Sequence, residues 1–102
     1  VSKVGSYTGT GTDLNVDCGF SAGARFILIK RTDATSDWWM WDTERGIVAG
    51  NDPVLSLNST AAQVTTTDYI DPHAAGFTVT VNGNYTNGMN VLDGTYIFLA
   101  IA

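Results

Sequence analysis

The chain has 102 residues, 44% of them apolar and only 15% charged, so it fits one domain with one core and is too short to pair a catalytic domain with a substrate domain. Ten acidic against five basic side chains give a net charge of −5, which disfavours binding to phosphate backbones and excludes nucleic acid as an expected partner. The single cysteine, Cys18, rules out an internal disulfide and reads as a small buried hydrophobe at a strand end.

No window shows a sustained helical spacing of apolar residues, whereas short runs combine alternation with β-branched and aromatic side chains. Strands are predicted at Lys3 to Thr8, Leu14 to Cys18, Ala24 to Arg31, Trp38 to Thr43, Val54 to Leu57, Phe77 to Val81 and Thr95 to Ile101. Turn-forming clusters separate them at Thr8 to Asp13, Thr32 to Asp37, Arg45-Gly46, Gly50 to Pro53 and Asn82 to Gly88. Asp71 to Gly76 also reads as a turn, delivering Phe77 to the core. Between Asn58 and Gln63 the sequence predicts one helical turn, with Asn58, Ser59 or Thr60 accepting the first free N–H groups and the alanines supplying propensity. The fold class is all-β: a single β-sandwich-like domain over residues 1–102, with about seven or eight short strands.

Two of these strands stand out. Phe26-Ile27-Leu28-Ile29 is an unbroken apolar run, and in Tyr96 to Ile101 both alternating sets are apolar, which predicts central strands buried on both faces. The longest apolar run, Tyr96 to Ala102, falls far short of the roughly 20 residues that cross a bilayer, so no membrane span is expected. The first residues lack the apolar stretch of a secretion signal. The start without Met and the apolar end suggest excision from a longer protein.

Among residues able to carry function, Trp38-Trp39-Met40-Trp41 is the most unusual block. On a strand, Trp39 and Trp41 share one face while Trp38 and Met40 share the other, so one pair should meet solvent, a neighbouring subunit or a ligand. Core packing or subunit contact is the first reading; stacking of Trp38, Trp39, Trp41, Tyr69 and Tyr85 on a sugar is the second. Asp42 and Arg45 are spaced for an ion pair across a turn closed by Gly46, a structural role. Catalytic groups are sparse: one His, one Glu, one Cys and loop aspartates, with a Cys18/His73 pair formally available but lacking an activating context. Loop oxygens at Asp33 with Asp37, Asn51 with Asp52, or Asp68 with Asp71 suit calcium, yet none matches a known loop pattern, so they read as solvated turn acids and no metal or cofactor is expected.

Several fragments in order carry a resemblance. Cys18-Gly19-Phe20 leading to Arg25-Phe26-Ile27-Leu28-Ile29-Lys30, then Asp37 through Gly46, Leu57 to Ala62, Ala75-Gly76-Phe77 and Thr95 to Ala102 together resemble a β-rich domain family of tailed-bacteriophage virion proteins, notably tail-fibre and other appendage proteins. Where that family often has a proline after Gly-Phe, this chain has Ser21-Ala22-Gly23. The resemblance implies a non-enzymatic module of a phage virion, multimeric, with other virion proteins as partners and no catalytic residues to transfer. Assembly comes first in this reading, and a bacterial surface glycan is a further ligand. The alternatives are a capsid decoration or head-fibre protein binding capsomers, and a carbohydrate-binding module attached to an enzyme.

Overall fold

The computed structural model describes every residue from Val1 to Ala102. Eight strands form: β1 (Ser2–Thr8), β2 (Leu14–Asp17), β3 (Phe26–Arg31), β4 (Trp38–Asp42), β5 (Leu55–Ser56), β6 (Ile70–His73), β7 (Gly76–Val79) and β8 (Thr95–Ile101). They pair antiparallel in a five-stranded sheet, ordered β1-β8-β3-β4-β5, and a three-stranded sheet, ordered β2-β7-β6. The all-β two-sheet expectation holds, and β3 and β8 are interior strands as their apolar runs predict; they also pair with each other. No helix is long and apolar enough to cross a membrane.

The core lies between the inner faces. Ile27, Ile29, Trp41, Tyr96, Phe98 and Ala100 from the large sheet meet Val16, Ile70, Phe77 and Val79 from the small one. Phe77 and Phe98 join the two layers edge to face, with ring centroids 5.4 Å apart. Close approach fixes one glycine: a Cβ on Gly76 would sit 2.1 Å from the Val16 carbonyl oxygen, so β7 can lie against β2 only without a side chain there.

The long connection from β7 to β8 is organised around Asn90, which is fully buried and fully paired. Its amide donates to the carbonyls of Thr12 at 2.7 Å and Thr80 at 3.0 Å, and its oxygen accepts from the Thr10 N–H at 3.0 Å. Tyr7 and Tyr96 stack at 4.9 Å, and their hydroxyls donate to the Met89 and Gly88 carbonyls. One side chain and two phenols thus replace the backbone ladder that this loop lacks.

Three expectations are corrected. Asn58 to Gln63 is not helical; the one helical turn is a 3-10 turn at Val81–Gly83. The reason is competition for Asn58, whose side-chain oxygen accepts from the Trp38 N–H at 3.0 Å and whose amide donates to Asp37, while Val64 pairs with Val54. Ile70–His73 is a strand, so the turn predicted over Asp71 to Gly76 narrows to Ala74-Ala75; Pro72 is tolerated because β6 is an edge strand. Finally, β3 and β8 are buried on their inner faces only: Ile97 remains 43% exposed, with Leu28 and Leu99 half-buried.

Candidate functional site

Period-2 alternation sends every second side chain of the large sheet away from the core. The register then aligns Val4, Leu99, Leu28, Met40 and Leu55 in one row crossing all five strands. The next row holds Ser6, Ile97, Lys30 and Trp38, and the one beyond Leu99 holds Ser2, Ile101, Phe26 and Asp42. Val4 is 74% exposed, Ile97 43% and Trp38 39%, so this is an uncovered apolar surface. A shallow depression of about 190 Å³ within it is lined by six apolar residues, among them Val4, Leu28, Trp38 and Ile97. The one acid on this face, Asp42, is engaged by Arg45.

The aromatic candidates separate. Trp38 lies on this outer face, Trp39 packs against the core, and Trp41 is fully buried, so Trp41 cannot touch a ligand. Tyr69 and Tyr85 pair with each other at 5.4 Å, and burial first, then the neighbouring Tyr69 phenol, pushes the Tyr85 phenol well up. The five therefore make no single sugar platform. The division of the Trp block between two faces is as predicted.

The turn after β4 has the expected ion pair. Arg45 Nε donates to one Asp42 carboxylate oxygen at 3.0 Å, and the Arg45 backbone N–H donates to the other at 2.8 Å. The guanidinium also reaches the Met40 carbonyl and Gln63, which ties the turn to the loop before β6. Gly46 closes the turn with φ of 126°, and its N–H donates to the Asp42 carbonyl. The Arg45 contacts hold the Asp42 carboxyl below its usual range against its partial burial.

Most loop acids act as turn acceptors: Asp13 for the Val81 N–H, Asp17 for Gly19 and Asp33 for Thr95 and Arg31. Three do not. Asp52, Asp68 and Asp71 come together with carboxylate oxygens within 4.8 Å of one another, and each keeps one buried oxygen without a hydrogen-bond partner. Asp52 is fully buried; its Oδ2 accepts from the Val48 N–H at 2.7 Å and its Oδ1 accepts nothing. Burial, with Asp68 and Asp71 nearby, pushes the Asp52 carboxyl up to about 7; burial and Asp68 push Asp71 up to about 6. An unpaired buried acceptor costs about 1–3 kcal/mol, more when charged. Sequence placed Asp68 beside Asp71 but kept Asp52 apart with Asn51 as a solvated turn residue; its burial overturns that description. Nothing local in the sequence joins segments separated by 16 residues, beyond the shared aspartate.

Cys18 and His73 share no hydrogen bond. Burial first, then Asp17, pushes the Cys18 thiol up, the reverse of an activated nucleophile, and His73 Nδ1 accepts from the Ala75 N–H at 3.3 Å. The largest cavity, about 350 Å³, is an open groove between β1 and β2, where Asp17 is already held by the Gly19 N–H.

Comparison with known proteins adds a family without an activity. No curated protein and no solved structure matches the chain. One family model, described as a domain of unknown function (DUF7483), matches residues 1–102, the whole chain. The chain belongs to that family, DUF7483.

Proposed function

We propose that this domain is a non-enzymatic structural module of a bacteriophage virion that assembles by burying the outer face of its five-stranded sheet against a second copy of itself. The carrying observation is the apolar row Val4, Leu99, Leu28, Met40 and Leu55, continuous across all five strands and uncovered in the single chain. The pattern of β8 supports it: a strand with apolar residues in both alternating sets suits burial on two faces, and the fold supplies one.

Charge selects the same face. A chain of net charge −5 repels its copies, yet this surface carries one lysine, Lys30, and one acid already paired to Arg45. Area is adequate as well. Strand spacing of about 4.8 Å and rise of about 3.4 Å per residue give this face roughly 500 Å² per copy. Two faces then remove on the order of 1,000 Å² from water, the lower bound for a specific interface. Sheet-on-sheet stacking about 10 Å apart is the natural geometry. The virion setting is supported by the ordered resemblance of Cys18-Gly19-Phe20, the Trp block and the Thr95 to Ala102 strand to phage appendage modules.

The double variant Leu28→Lys/Ile97→Lys tests the reading by light scattering at tens of micromolar chain. Wild type should have a multiple of the chain mass, and the variant, still folded by circular dichroism, the mass of one chain. An unchanged multimer in the folded variant, or a monomeric wild type, contradicts the proposal. In a reconstruction of a particle carrying this chain, adjacent copies should meet through these sheets; contact through any other surface counts against it.

A further inference from the structure

We propose that Asp52, Asp68 and Asp71 hold one calcium ion that ties the segment between β4 and β5 to the edge strand β6. Two stretches far apart in sequence supply the oxygens: Asp52 from the β4–β5 connection, and Asp68 with Asp71 from the segment that runs into β6. Their carboxylate oxygens lie within 4.8 Å of one another. Calcium binds oxygen at about 2.3–2.6 Å, so two ligands on opposite sides of one ion sit up to about 5 Å apart.

The second observation is Asp52 itself. It is fully buried beside the other two carboxylates, and the Val48 N–H fixes one of its oxygens at 2.7 Å, leaving the other without a hydrogen-bond partner. Asp68 and Asp71 each add a buried oxygen in the same condition. The Asp52 N–H donates to the Thr67 carbonyl at 2.9 Å, which holds the first stretch against the second before any ion arrives. The neighbouring Thr67 hydroxyl is also buried without a partner. Asp68 and Asp71 are half-buried, so the site has a side open to water.

Donor chemistry selects the ion. All three ligands are hard oxygens with no thiolate or imidazole among them, which favours calcium or magnesium over zinc or copper. Magnesium demands a near-ideal octahedron at about 2.0–2.1 Å and sheds water reluctantly, so three carboxylates carried on separate stretches suit the more tolerant calcium ion better. Completion of the shell falls to water and nearby carbonyls. The ion's role is structural, since the β4–β5 connection has little ladder of its own: Val54 bridges Val64, and β5 is two residues long.

The test uses the full chain, stripped with chelator and titrated with calcium chloride by calorimetry, with thermal melts in parallel. Expected are one site per chain, a Kd between about 10 µM and 1 mM, and a melting temperature raised by roughly 5–15 °C at 5 mM calcium, with a smaller rise from magnesium. Asp71→Asn should weaken calcium binding at least about tenfold, whereas Asp33→Asn should leave it unchanged. If Asp71→Asn does not fold, Asp52→Asn serves in its place: an amide there should melt at the same temperature with and without calcium. Equal melting temperatures for wild type in calcium and in chelator overturn the proposal, as does a folded Asp71→Asn or Asp52→Asn chain that binds as wild type does. Terbium, read by emission excited through the tryptophans and tyrosines, gives an independent signal that calcium should displace from the wild type; emission that calcium leaves unchanged counts against the site.

Discussion

The two faces of the five-stranded sheet are built from the same strands and nearly the same residue types, yet they have opposite fates. The inner face, with Ile27, Ile29, Trp41 and Ala100 at zero exposure, is sealed by the small sheet. The outer face, one residue out of phase, carries Val4, Leu28, Leu99 and Trp38 and has nothing over it. Apolar composition alone therefore does not say where a core is; the layer that covers it does. The inner face gives stability to the single chain, and the outer face is left for association.

Inner-face truncation should have the largest effect. Trp41→Ala or Phe98→Ala removes a buried aromatic from the junction of the sheets and should cost about 3–5 kcal/mol in a denaturant melt, a large part of the roughly 5–15 kcal/mol typical of a domain. Gly76→Ala comes next: its Cβ would meet the Val16 carbonyl, so β2 and β7 must separate, at a cost of about 1–3 kcal/mol. Outer-face changes should behave otherwise. Leu28→Lys should shift the monomer's stability by less than about 1 kcal/mol in the same melt while lowering the solution mass. An equal loss of stability from Leu28→Lys and Phe98→Ala would erase the distinction between the faces.

The smallest effect lies at the rim. The Arg31 guanidinium, then the Thr95 N–H, hold the Asp33 carboxyl down from 3.8 to about 2, and the pair joins the end of β3 to β8. Because the folded value lies below the unfolded one, the stabilisation is complete above about pH 4 and disappears as pH falls through about 2. Asp33→Asn should therefore lower the melting temperature slightly at pH 7, with the difference shrinking as pH falls from about 4 to 2. Screening at this exposed site keeps the effect small.

Much of the fold was legible because its signals are local. Short runs rich in β-branched and aromatic residues marked strands such as β1, and the two apolar runs marked β3 and β8 as central strands. β6 escaped because Pro72 and the Ala74-Ala75 turn read as loop, and only an edge position lets proline stay in a strand. The Asn58 turn failed because side-chain bonds from a distant strand outcompeted a weak helical preference. The outer face was half legible: Trp38 was seen to face away from Trp41, but the row from Val4 to Leu55 exists only once register is known. The aspartate cluster was least legible, since its members converge only through tertiary folding.

Trp38 offers the most direct measurement, because it alone of the three tryptophans is exposed. Acrylamide quenching of tryptophan emission should fall several-fold as the chain is concentrated from nanomolar to tens of micromolar, with Leu28→Lys/Ile97→Lys quenched strongly throughout. Quenching of the wild type that stays constant over this range, with Trp38 open to acrylamide at every concentration, would contradict the assembly of two copies through this face.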